Sequence, residues 1–424
     1  MKRYLIFFLL SLILPVYFSA CSTSAQSVDT DGFRDEAVRI LEEVLLIDGH
    51  NDVPWQFNSR AGYSFDEIDF MDTAGLEPPM HTDIPRLREG RLGGQFWSVY
   101  VPADQPESEA VQETLEQIDF VCRLIGRYPE HLELALTADD VERFFAEGKI
   151  ASLIGVEGGH SIGNSLAVLR RFYDLGARYM TLTHSRTLDW ADASDDVPVH
   201  DGLSGFGEEV VREMNRLGML VDLSHVSPQT MRDAIRVSES PVIFSHSSAR
   251  GISGHARNVP DDVLDNIRGK EGVVMVTYVP SFVSEELRLY YASENAEQAR
   301  LESLYRGQPE RTEREMDRWR DENPAPEATL KQVADHIDYI RDRIGVDHIG
   351  IGADYDGISS LPAGLEDVSS YPDLFAELLR RGYVEEDLKK IAGLNVLRVM
   401  REAESVSAGL RVERPPSGAV IGDF

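Results

Sequence analysis

Cysteine is nearly absent from this chain: its 424 residues include two, Cys21 and Cys122. That scarcity excludes a disulfide framework and a thiolate-rich zinc site. Basic residues are outnumbered, 42 Lys and Arg against 73 Asp and Glu, for a formal charge of −31. Such a surface repels phosphate backbones, which argues against nucleic acid as a partner. No glycine-rich dinucleotide fingerprint follows the first apolar β-type run, which weakens the case for an open, doubly wound sheet. There are no internal repeats and no low-complexity tracts. The long apolar run at 4–16 is too short to cross a bilayer comfortably.

What is present starts at that run. Lys2 and Arg3 precede it, small residues follow, and Cys21 comes next. This order reads as a secretory signal over residues 1–20. Phe18-Ser19-Ala20-Cys21 resembles a bacterial lipobox, with Phe18 where leucine is usual. On that reading Cys21 is lipidated and residues 21–34 form a flexible tether. Acyl chains then hold an exported protein on the periplasmic or cell-surface side of a membrane, with no spanning helix. Cleavage after Ala25, giving a secreted protein, and retention of the run as an anchor helix are the alternatives. Cys122, left without an intramolecular partner, is expected to be a buried core thiol on a helix face.

From residue 44 onward, short β-rich runs alternate with helical patterns. Eight runs are apolar on both faces, as in a parallel sheet covered by helices: 44–48, 95–100, 150–156, 179–183, 220–224, 242–245, 273–277 and 348–352. Helical periodicity fills the gaps, as at 165–175, 207–217 and 261–267. Eight strands with intervening helices predict one (β/α)8 barrel of the TIM type over residues 35–405. The highly charged stretch 285–325 predicts a solvated helical excursion after the seventh strand, with a lid or a dimer contact as its functional alternative. Residues 406–424, with Pro415 and Pro416, predict an extended tail.

Barrel enzymes build their sites at the C-terminal ends of strands, and here nearly every strand ends in a potential metal ligand. His50 and Asp52 lie two apart, on one side of an extended segment. Glu157 ends a buried run, where an unpaired carboxylate is costly. His184, His225, His246 and Asp354 follow other runs. Singly, each has a bland reading: a capping Asp, a buried ion pair, a satisfied core histidine. His184 reads equally as ligand or substrate contact. Together, His50, Asp52, Glu157, His225 and His246 form a nitrogen–oxygen donor set suited to zinc or a similar divalent ion. Five donors exceed the needs of one catalytic ion, so two ions sharing a carboxylate and clamping one hydroxide are expected.

The chain resembles the membrane dipeptidase (renal dipeptidase) family of zinc peptidases across residues 40–400. The stretches that carry the resemblance include Ile47-Asp48-Gly49-His50-Asn51-Asp52, Gly94-Gln95-Phe96-Trp97-Ser98 and Glu157-Gly158-Gly159-His160. Further ones are Val221-Asp222-Leu223-Ser224-His225, Ser245-His246-Ser247-Ser248-Ala249, Arg257-Asn258-Val259-Pro260-Asp261 and Gly352-Ala353-Asp354-Tyr355-Asp356-Gly357. The resemblance implies a homodimeric binuclear zinc dipeptidase that tolerates a C-terminal D-residue. It places one zinc on His50 and Asp52, the other on His225 and His246, and Glu157 between them. It implies that His184 and Arg257 contact the dipeptide, Arg257 pairing with its C-terminal carboxylate, and that Asp354 handles the proton of the attacking water. The chain departs from relatives in three ways. Ala103 and Arg186 replace a disulfide, Ala256 stands where a second arginine is common, and no apolar tail follows Pro416 for a glycolipid anchor. A related amidohydrolase acting on N-acyl amino acids or lactams, or a non-catalytic peptide-binding lipoprotein, are the rival readings.

Overall fold

The structure is a computed structural model describing residues 30–424, with side chains from residue 32 onward. The signal at 1–20, Cys21 and the first part of the tether lie outside the described residues. The end of the tether is helical, because the first helix spans Thr30–Glu43.

Nine parallel strands follow among the described residues: β1 (Leu46–Asn51), β2 (Leu92–Tyr100), β3 (Leu132–Leu134), β4 (Ile150–Glu157), β5 (Ala177–Thr181), β6 (Leu220–Asp222), β7 (Ile243–Phe244), β8 (Val273–Val276) and β9 (Ile349–Ile351). β2 pairs with both β1 and β4, and β1 with β9, so all but β3 close into a (β/α)8 barrel. The short β3 pairs only with the foot of β4, from Leu132↔Ile150 to Leu134↔Ser152.

The alternation in β4 explains the closure. Ile150, Ile154 and Val156 pack outward with the helices, whereas Ala151 and Leu153 join Ile47, Phe96, Tyr179 and Met275 inside. Both faces are dry, which is why these strands read as continuous apolar runs. Tyr179 fills the barrel interior only because β4 has Gly155 opposite. A Cβ there would lie 2.0 Å from the Tyr179 ring.

Three expectations need correction. The last long helix runs Asn395–Glu413, so the extended tail starts at 414 rather than 406. Ala403, Ser407 and Leu410 form its buried stripe at helical spacing. Cys122 is exposed: it sits on the helix Glu107–Arg127, next to the stripe of Ile118, Val121 and Ile125 but turned off it. Several strands are shorter than their apolar runs, β7 most of all. The excursion is a helical hairpin, Glu285–Leu304 and Pro309–Glu322, mostly solvated, with a small core at Leu301 and Met316. No described helix is long and apolar enough to cross a membrane.

Candidate metal centre

Strand ends at one rim bring the expected residues together. His50 lies within β1, Asp52 just beyond it, and Glu157 is the last residue of β4. His184, His225, His246 and Asp354 follow β5, β6, β7 and β9 within three residues. Glu157 is the hub. Its Oε1 lies 3.0 Å from His225 Nε2, 3.5 Å from both His50 Nε2 and His246 Nε2, and 3.8 Å from His184 Nε2. His50 Nε2 is also 3.3 Å from Asp52 Oδ2. His225 Nε2 and His246 Nε2 face each other at 2.9 Å. Three overlapping sets have donor atoms close enough to share a cation: His50, Glu157, His246; Glu157, His184, His225; and His50, Asp52, Asp354.

Local backbone conformation serves this convergence. His225 and Asp354 adopt left-handed φ values of 68° and 70°, unusual for residues with side chains and typical of functional positions. Gly357 lets the 354–357 turn touch Asp52. A Cβ there would lie 2.2 Å from Asp52 Oδ2 and 2.4 Å from Asp354 Oδ1.

The electrostatics show a shortage of positive charge. Burial disfavours an ionised Glu157, yet the surrounding imidazoles, His50 and His184 foremost, hold its pKa well below the usual carboxylate range. Burial likewise works against a charged His50, but Tyr179, Glu157 and Asp52 raise its pKa well above the ordinary value. Burial drives His225 and His246 well down and Asp354 well up. Two neutral imidazoles therefore point their Nε2 atoms at each other, and His50 Nε2 is buried with no hydrogen-bond partner among the described residues. Such a cluster of imidazole nitrogens and carboxylates, without sulfur, fits divalent cations of the zinc kind.

Beside the cluster opens a cavity of about 400 Å³, lined in part by Asp52, Trp55, Tyr100, Arg257, Phe282 and Asp354. Arg257 is buried. Its Nη2 makes one long hydrogen bond to the His246 carbonyl, 3.4 Å, and its Nε has no partner among the described residues. The guanidinium lies 5.1 Å from the Phe282 ring. A buried, under-partnered guanidinium facing a cavity is a ready receptor for a carboxylate.

Sequence reading missed the support around these groups. Trp55 and Tyr100 meet edge to face in the cavity wall, ring centroids 5.1 Å apart. Tyr179 OH lies 2.9 Å from His50 Nδ1. Asp48 and Asp222 are buried carboxylates that collect hydrogen bonds from neighbouring strand ends. The available signal was a lone Asp ending a buried apolar run, where charge is costly.

A sequence profile described as membrane dipeptidase (peptidase family M19) matches residues 34–414. Dipeptidase verJ of Clonostachys rogersoniana is 41% identical over 387 residues, covering 89% of this chain and 88% of its own. The crystal structure of the probable dipeptidase PvdM from Pseudomonas aeruginosa superimposes with a TM-score of 0.77 at 25% identity, covering 89% of this chain and 99% of that one. The structure of dipeptidase AC, a metallo peptidase of family M19, gives 0.70 at 25% identity, covering 85% and 98%. The profile spans nearly the whole described chain, and the matched stretch carries the residues clustered at the barrel rim. The chain belongs to the membrane dipeptidase family, peptidase family M19, and is a metallo-dipeptidase.

Proposed function

We propose that the centre holds two zinc ions and that the enzyme hydrolyses dipeptides with a free C-terminal carboxylate, including those ending in a D-residue. His50 and Asp52 would hold one ion, His225 and His246 the other, and Glu157 both. Bound there, the ions supply Lewis acidity that activates water and polarises the scissile carbonyl.

The chain's own groups do the rest. Arg257 binds the substrate carboxylate at the cavity wall, and an anchor for the free carboxylate beside the metal cluster favours short peptides. His184, the most solvent-accessible of the four imidazoles at 19% side-chain exposure, directs its Nε2 toward the reacting carbonyl oxygen. Burial, with Asp52 and Glu157 nearby, raises the affinity of Asp354 for a proton. Asp354 lines the cavity and shares a donor cluster with His50 and Asp52, where it takes the proton from the attacking water and returns it to the leaving amine. The observation that carries the reading is the convergence of four imidazole Nε2 atoms on one oxygen of Glu157.

The test joins metal analysis to a substrate panel of L-L dipeptides, L-D dipeptides and N-acyl amino acids, each with and without chelator. Chelator-sensitive cleavage of both dipeptide classes is expected. Preferential cleavage of N-acyl amino acids would favour the amidohydrolase alternative. Intact dipeptide recovered from metal-loaded protein would mean binding without catalysis.

A further inference from the structure

Two buried carboxylates repeat one hydrogen-bond pattern beneath the centre. Asp222, the last residue of β6, accepts through Oδ1 from Ser224 N at 3.1 Å and from Ser245 N at 2.8 Å. Asp48 in β1 accepts through Oδ1 from His50 N and Ala353 N, both at 3.0 Å. Each carboxylate thus holds the amide two residues on in its own strand end and an amide on a neighbouring one. The amides tied are at or beside His50, His225, His246 and Asp354.

The second oxygen of Asp222 does more. Oδ2 accepts from Thr181 Oγ1 at 2.5 Å and from Ser245 Oγ at 2.6 Å. Ser245 Oγ in turn lies 2.8 Å from His246 Nδ1. A hydroxyl has one proton, and an ionised carboxylate only accepts. The Ser245 proton is therefore committed to Asp222, a nearer and stronger acceptor than Ser224 Oγ at 3.4 Å. The Ser245 oxygen must then accept, so His246 carries its proton on Nδ1. Its Nε2 is left with a bare lone pair, the nitrogen that faces His225 and Glu157. His50 has a parallel arrangement: Tyr179 OH donates to the Gly49 carbonyl at 3.2 Å and faces His50 Nδ1.

We infer that Asp222 is a positioning residue that, through Ser245, fixes His246 in the Nδ1–H tautomer and so presets its Nε2 as a metal ligand. The inference rests on the reading above that His246 binds metal. It differs from a structural role because it depends on the direction of one hydroxyl, and outer partners of this kind tune metal affinity.

Asp222→Asn reverses that direction with almost no change in shape. The amide oxygen keeps the two backbone N–H donors, since turning the NH2 toward them would oppose donor to donor. The NH2 then faces Ser245 Oγ, which accepts from it and is freed to donate to His246 Nδ1, at 2.8 Å a nearer acceptor than Ser224 Oγ at 3.4 Å, placing the imidazole proton on Nε2. Three quantities would be measured on wild type, Asp222→Asn and Ser245→Ala: zinc affinity by chelator competition, the His246 tautomer by 15N NMR of the metal-free protein, and the metal-free Tm. In Asp222→Asn, a switch to Nε2–H and a roughly 10–100-fold loss of affinity are expected. Ser245→Ala, which removes the link without reversing it, is expected to lose affinity to a smaller extent.

A lowered Tm in Asp222→Asn with wild-type affinity and tautomer would overturn the inference. If Asp222→Asn does not fold, Ser245→Ala decides, and wild-type affinity there overturns it. If the wild type binds no cation, the metal reading fails separately, and an Nε2–H tautomer in the metal-free wild type would sink the relay by itself.

Discussion

Glu157 shows what one residue carries at this centre. Its Oε1 sits within 3.0 to 3.8 Å of four imidazoles. Glu157→Gln replaces a shared anion with a neutral amide, so metal content should fall and turnover should drop to background in a metal assay paired with kinetics. Arg257→Ala removes an anchor that binds ground state and transition state alike. KM for dipeptides should rise about 10–150-fold with little change in kcat, the equivalent of losing roughly 1.5–3 kcal/mol of charged hydrogen bonding. An unchanged KM would count against carboxylate pairing. His50 adds a pH dependence. Its raised pKa means the metal-free centre holds a proton there, against the cost of burial, and a cation must displace it. Affinity should therefore weaken as pH falls, and an affinity flat with pH would contradict a shortage of positive charge at the centre. The ligands themselves were legible because each follows an apolar β run. Asp222, Ser245 and Tyr179 were not, because their roles come from partners on other strands.

At the scale of elements, the barrel was readable from strands that are apolar on both faces. Their lengths were less so. β7 keeps two residues of strand because the amide of the next residue, Ser245, turns to the Asp222 carboxylate instead of a strand carbonyl. The last turns of the helix ending at Glu413, from residue 406 on, read as tail in the sequence because their buried stripe contains Ser407 rather than another aliphatic residue. Close packing between strand ends makes one glycine testable. A Cβ on Gly352 would lie 1.8 Å from the Ser245 carbonyl oxygen, which is backbone and cannot swing aside. Gly352→Ala should cost about 3 kcal/mol in denaturant unfolding, at the upper end for an overpacked core. An unaltered midpoint would show that β7 and β9 are less tightly fixed than drawn.

For the molecule as a whole, a net charge of −31 gives a surface that repels polyanions, and two cysteines in 424 residues leave imidazole and carboxylate as the metal donors. Acid stability is a second whole-molecule property. Burial pushes His160 and His336 down to about 4. Burial holds His336 neutral, and the Ala249 N–H donating to Nδ1 at 3.0 Å opposes a second proton there, while the Val283 carbonyl 3.2 Å from Nε2 works the other way. The unfolded chain takes up these protons near pH 6.5 and the folded chain only near 4, so stability falls as pH drops through that window. Each residue accounts for about 3 kcal/mol by its lower end. His336→Gln should flatten the loss between pH 6.5 and 4 in unfolding curves. A curve parallel to wild type would show that His336 does not govern it.

The most direct check is to count ions in the reconstituted protein, with and without Glu157. Titrated with zinc and freed of excess, the wild type should retain two equivalents per chain, and Glu157→Gln clearly fewer. A wild type that retains none, or a variant that keeps both at unchanged affinity, would contradict the claim that this rim assembles a shared two-cation site.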